Sequence, residues 1–191
     1  MRLRAPLIAA ALLCSAGAAR AEPLLEGPFP FARDNELSIH GGFAAGFGDT
    51  FGGPKAIVDY GYKLNRGFWL DLGVGFLSGM CRPRVDTPEC VRTGNSAEVL
   101  MGVKWKLRTN VPLVPYAKLQ GGLGYQFPDS ARSAWGPLLR GGLGATYFFY
   151  EWLGVGAEVT ASAGRADYEE GSTLSRSLGG LDLTLGAELQ F

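Results

Sequence analysis

The chain is poor in the residues that make reactive or metal-binding sites. It has one histidine, His40, and three cysteines, Cys14, Cys81 and Cys90, in 191 residues. A metal centre wants three or four converging ligands, and none gather around these positions in the sequence. No metal and no cofactor is expected. After residue 21, no apolar run reaches the ~18 residues of a membrane helix. There is no basic excess either. Lysine and arginine total 18, and aspartate and glutamate total 18. A nucleic-acid partner is therefore not expected. Glycine is abundant, at 29, but it lacks the strict period of collagen.

The first 21 residues differ from the rest. Arg2 and Arg4 precede the apolar run 5–13, and Ala19-Arg20-Ala21 is a small-x-small cleavage signal. This is the pattern of a cleaved secretory signal peptide. Cys14 follows Leu13 rather than the small residue of a lipobox, so lipidation is not expected. Removing Arg2, Arg4 and Arg20 leaves 15 basic residues against 18 acidic ones. Residues 22–35 hold three prolines and no usable period, and read as an irregular leader. Residues 36–191 read as one domain.

Within that domain the dominant signal is alternation. In 178–191, LGGLDLTLGAELQF, the residues Leu181, Leu183, Leu185, Ala187, Leu189 and Phe191 share one face. Period two is the period of a β-strand. Seven earlier segments alternate likewise: 36–47, 55–64, 68–77, 97–107, 114–125, 138–149 and 153–163. Each has about the ~9–11 residues with which a tilted strand crosses a bilayer. The opposite face reads as polar or glycine throughout. Its acids are Glu36, Asp59, Asp71, Glu98, Glu158, Asp182 and Glu188. Its bases are Lys55, Lys63, Lys104, Lys106, Lys118 and Arg140, and His40 and Ser38 join them. Near-balance of the two signs suggests a salt-bridged plug, since about eight strands enclose a space that side chains just fill.

Connections alternate in length. Asn65-Arg66-Gly67, Tyr150-Glu151-Trp152 and 108–113 are short, with Gly67 suited to positive φ. The links 48–54, 78–96, 126–137 and 164–177 are longer. Aromatics sort with them. Tyr62, Phe68, Trp105, Tyr147, Phe149, Tyr150, Trp152 and Phe191 map to the short-turn end. Phe43, Phe47, Phe76, Tyr125, Phe127 and Trp135 map to the other end. Two aromatic girdles around an aliphatic band are a feature of membrane barrels.

On these features the chain resembles the small eight-stranded bacterial outer-membrane β-barrels of the OmpA/OmpX/OmpW type. The terminal strand ending in Phe191 is similar to the C-terminal strand that the barrel-insertion machinery reads, with Leu185, Ala187 and Leu189 leading into it. The resemblance implies an all-β, up-and-down antiparallel transmembrane barrel. It also implies export to the outer membrane, with outer-membrane lipids, lipopolysaccharide and the insertion machinery as partners. A soluble lipocalin-like barrel is the rival fold, but it would keep its apolar face inside and carry a helix near its C-terminus.

Two constellations invite chemistry. Ser38 and His40 lie two apart on one strand face, which is similar to the His and Ser of the lipid A deacylase barrels. The order here is reversed, both residues point inward by parity, and nothing marks an oxyanion hole. His40 is therefore read as one polar member of the interior. Cys81 and Cys90 bracket a ten-residue loop. In an exported protein they read as a disulfide. Arg82, Arg84 and Arg92 make that loop basic, as a solvated loop rather than a phosphate site. The expected role is non-enzymatic, structural or surface-interacting through the outer loops, whose ligand the sequence does not name. A small pore or hydrophobic-solute carrier and a lipid-modifying enzyme are the alternatives.

Overall fold

The computed structural model describes residues 33–47, 52–79, 82–84, 87–91, 94–107, 109–127, 133–168 and 175–191. The signal peptide, nearly all of the leader, and Cys81 lie outside the described residues. The chain is all-β. Its strands are β1 (Asn35–Gly46), β2 (Gly53–Lys63), β3 (Phe68–Ser78), β4 (Arg82–Arg84), β5 (Thr87–Val91), β6 (Asn95–Lys106), β7 (Leu113–Phe127), β8 (Ala134–Tyr150), β9 (Leu153–Tyr168) and β10 (Ser175–Gln190). Eight of them close an antiparallel up-and-down barrel in the order β1-β10-β9-β8-β7-β6-β3-β2. The remaining pair, β4 and β5, forms a separate hairpin in the link between β3 and β6. The link 78–96, expected as loop, thus carries a hairpin of its own.

Closure rests on β1 and β10, paired from Glu36–Gln190 to Gly46–Gly180. The two ends of the barrel strands meet at the short-turn end. Asn35 N donates to Phe191 O at 3.1 Å, and Phe191 N donates to Asn35 O at 2.9 Å. A closed ladder leaves no unpaired strand edge, which is the condition for β-structure in a solvent that offers no hydrogen bonds.

Alternation becomes inside and outside. β2 reads buried and exposed in strict turn along nearly its whole length. What is buried here is largely polar, and what is exposed is apolar. Ile39, Val74, Val99, Leu143, Leu183 and Leu185 all point away from the barrel. A water-soluble protein rarely exposes a continuous apolar surface larger than a few hundred Å². The aromatics at both ends also point outward. Phe68 stacks on Trp105, with centroids 6.2 Å apart, and Tyr150 on Trp152 at 5.9 Å. Among the described residues there is no helix, unlike the lipocalin-like rival.

Two local expectations are corrected. The turn after β2 does not use a positive φ at Gly67. The positive-φ glycines among the described residues are Gly53 and Gly94. Instead the Asn65 side chain holds that turn, its Oδ1 accepting from the N–H of Gly67 and of Phe68 at 3.1 Å each. Such Asx closure does the work that glycine would otherwise do. The strands β7 to β10 also run further than the alternation suggested, at 15, 17, 16 and 16 residues against 11 or 12 for β1, β2, β3 and β6. One side of the wall therefore stands taller at the long-loop end. Many of its added residues, such as Gly164, Arg165, Ser175 and Ser177, are small or polar, while Phe127 and Trp135 remain as outward aromatics. Beyond the apolar band nothing requires outward residues to be apolar, so the period fades while the ladder continues.

Candidate functional site

The interior is where the strands bring polar chemistry together. Glu36, His40, Asp59, Asp71, Glu98, Lys104, Lys106, Lys118, Arg140, Glu158, Asp182 and Glu188 are all buried, as is Lys55. Lys63 is not among them. It sits at the short-turn rim, 3.3 Å from the exposed Asp34. These buried charges fall into three levels.

At the short-turn end, Glu36 of β1 lies between two lysines of β6. Lys104 Nζ is 2.7 Å from Glu36 Oε1, and Lys106 Nζ pairs with both Glu36 Oε2 and Glu188 Oε1. Thr146 Oγ1 donates to Glu188 Oε2 at 3.0 Å. Lys106 also stands 4.7 Å from the Trp69 ring centroid and 6.0 Å from that of Phe148. At mid-depth, Lys118 Nζ lies 2.7 Å from Glu158 Oε1 and 3.3 Å from Asp59 Oδ2. Tyr116 OH donates to Glu158 Oε2 at 3.0 Å, and Gln120 Nε2 donates to Asp71 Oδ2 at 2.9 Å. Towards the long-loop end, Lys55 Nζ lies 2.6 Å from Asp182 Oδ2 and 3.0 Å from Glu98 Oε1. Arg140 pairs with Glu98 and lies 3.6 Å from Asp182. Thr160 Oγ1 donates to Asp182 at 3.1 Å.

The expectation of an inward face that is polar or glycine throughout is corrected. Trp69, Tyr116 and Phe148 are buried inside, with Ile57, Val114 and Leu77. Beside the charges of the long-loop level Leu100, Ala134, Leu138, Ala166 and Leu178 form an apolar cluster. The register explains its shape. Leu100, Gly122, Leu138, Gly164 and Leu178 lie side by side on β6 to β10, leucine alternating with glycine. Neither glycine leaves room for a Cβ: one at Gly122 would meet the Val99 backbone, and one at Gly164 the Pro137 carbonyl and the Leu138 side chain. The inward aromatics had a legible signal in parity: Trp69 sits between outward Phe68 and Leu70, and Phe148 between outward Tyr147 and Phe149. Their reason is electrostatic as well as steric, since an aromatic face attracts an ammonium ion in a desolvated place.

Ser38 and His40 both face inward and are buried, away from the outer surface of the barrel. Ser38 Oγ has no hydrogen-bond partner, so no nucleophile–base bond joins them. Among the described residues no three His, Cys, Asp or Glu side chains are arranged to hold a metal ion. Leu185, Ala187, Leu189 and Phe191 all point outward from β10 and its end. Cys90 lies on β5 opposite Pro83, while its expected partner Cys81 is outside the described residues.

No family model matches the sequence, and no curated protein matches it at a significant level. Solved structures match in fold. Neisserial surface protein A superposes with a TM-score of 0.61 at 12% identity, over 82% of this chain and 96% of its own. The outer membrane protein OprG from Pseudomonas aeruginosa gives 0.54 at 13% identity, over 87% and 99%. The N-terminal β-barrel domain of Pseudomonas aeruginosa OprF gives 0.53 at 19% identity, over 83% and 99%. At these identities the likeness is one of architecture: an eight-stranded closed barrel of the kind found in bacterial outer-membrane proteins.

Proposed function

We propose that this chain is a bacterial outer-membrane barrel, exported with a cleaved signal peptide, that serves a non-enzymatic structural or surface-interaction role through its long loops. The observation that carries the reading is the inverted distribution of polarity. Apolar side chains cover the outside between two aromatic ends, and the inside is filled by paired charges. Such an outside is favourable only where lipid, not water, surrounds it. An interior closed by ion pairs and by the apolar Leu100–Leu138–Leu178 cluster supports a role at the ends of the barrel rather than through it. A wide water channel generally needs ~16–18 strands. Inward, buried Ser38 and His40 argue against the lipid-modifying reading, because a lipid acyl chain reaches the outside of the wall.

The contacts expected are with outer-membrane lipid and lipopolysaccharide at the girdles, and with the insertion machinery during assembly. Two measurements test the reading together. Membrane fractionation with surface proteolysis should find the protein in the outer membrane and cut only at the long loops. Planar-bilayer recording of purified protein should stay silent. Stable single-channel steps abolished by changes at Arg140 or Lys118 would move the assignment to a small pore.

A further inference from the structure

At the long-loop end the register builds a cavity. Lys55, Leu77, Ser96 and Gln126 stand side by side, all inward, on β2, β3, β6 and β7. Leu138 of β8 and Leu178 of β10 join the same lining. The space between them is about 400 Å³, its open mouth included. Ligand pockets of about 300–1,000 Å³ commonly sit in the mouths of β-barrels.

The lining is mixed in a particular way. Gln126 is 0% exposed, yet neither its Oε1 nor its Nε2 has a hydrogen-bond partner. A buried amide left unspent destabilises a fold, and a leucine of similar size would avoid that cost. The floor, in contrast, has spent its charges. Lys55 Nζ lies 2.6 Å from Asp182 Oδ2 and 3.0 Å from Glu98 Oε1, and Arg140 pairs with Glu98. Two carboxylates face two cations there, with no net charge left over. A charged ligand would lose its hydration with no free counter-charge to meet it. Leu77, Leu138 and Leu178 offer only apolar contact.

We propose that this cavity binds a small neutral carboxamide, its amide paired with that of Gln126 and its hydrocarbon part against Leu77, Leu138 and Leu178. A carboxamide presents an acceptor oxygen and an NH2 donor, the complement of what Gln126 leaves unused. Burial of the hydrocarbon part supplies the drive. The inference rests on the closed interior proposed above and names what its outer end takes up. With ion pairs filling the barrel below, the ligand is held at the mouth and not passed through.

The test titrates full-length exported barrel in lipid nanodiscs with hexanamide, followed by calorimetry, with empty nanodiscs as the blank for partition into lipid. Each variant is first shown to be folded by its heat-modifiable mobility. One saturable site per barrel is expected. Gln126→Leu should weaken binding about tenfold or more, the loss of one or two hydrogen bonds. The same variant should unfold at the wild-type urea midpoint or above it, because it removes an unspent buried amide. Ser96→Trp fills the cavity from outside the ion pairs and should abolish binding. Hexanoate and hexylammonium should each bind at least about tenfold more weakly, for want of a free counter-charge. Titration heats no different from empty nanodiscs would mean that water alone satisfies the cavity, and overturn the site. So would binding retained by Ser96→Trp, or hexanoate bound as well as hexanamide. A Gln126→Leu barrel that binds like wild type, or is less stable than wild type, overturns the role of the amide. Bilayer recording separates the two proposals: a silent barrel that takes up no hexanamide defeats this site and leaves the closed barrel standing.

Discussion

Lys106→Met is the sharpest test of the closed interior. The Lys106 ammonium is held between Glu36 Oε2 and Glu188 Oε1 and faces Trp69, and its side chain is 1% exposed. Methionine keeps most of the stem and removes the charge. Two carboxylates then share Lys104 alone at that level, and water has little access to them. Removing one partner of a buried pair costs about 3–5 kcal/mol, of which the contact with the ring is roughly 0.5–2. The assay is equilibrium urea unfolding in detergent micelles, followed by tryptophan fluorescence. The companion variant Glu36→Gln/Lys106→Met restores the original net charge. It should recover roughly 1–3 kcal/mol of the loss, because the two residues touch. In a water-filled channel the stranded carboxylates would stay hydrated, and the loss would be under about 1 kcal/mol, as at exposed pairs. A loss that small, or a double variant no more stable than the single one, refutes the closed-interior argument.

Three other expectations follow from named contacts. Deleting Phe191, or replacing it with Asp, should leave export intact and reduce the heat-modifiable barrel in outer-membrane fractions; normal barrel levels would count against the terminal strand as an insertion signal. Cys81 and Cys90 should be bonded in exported protein, and a ten-residue closure contributes at most ~3 kcal/mol, confined to the loop; two thiols that react with maleimide under non-reducing conditions defeat it. Gly144→Val should destabilise the barrel by about 1–3 kcal/mol or more, because a Cβ there would overlap the Tyr116 ring that donates to Glu158. Wild-type urea midpoints for that variant would show that the ring has room to move.

Much of the wall was legible because lipid enforces a period. A residue such as Leu183 or Val99 must be apolar if it faces acyl chains, and its neighbours on the strand must not be. That constraint marked all eight barrel strands and both girdles. It faded where the constraint stops: the upper ends of β7 to β10 and the β4–β5 hairpin lie outside the alternating band. The interior was legible as parity but not as content. Glu36, Lys104 and Glu188 could be assigned inward from alternation alone. The inward Trp69, Tyr116 and Phe148 carry the same parity, and only the packing around Lys106 and Lys104 gives them a purpose.

Sequence by itself determined that this chain makes eight alternating strands with apolar residues on one face, because period two is a local property of an extended backbone. Tertiary structure alone decided which charges meet. Lys63 reads as one more inward base, yet closure sets it at the rim beside Asp34, and the interior count moves from near-balance to seven against five. Glu36 and Lys106 are 70 positions apart, and Lys118 and Asp59 are 59 apart. No local pattern encodes such pairs. They depend on register around a closed ring, where a shift by one residue in one strand would turn every inward charge out to lipid.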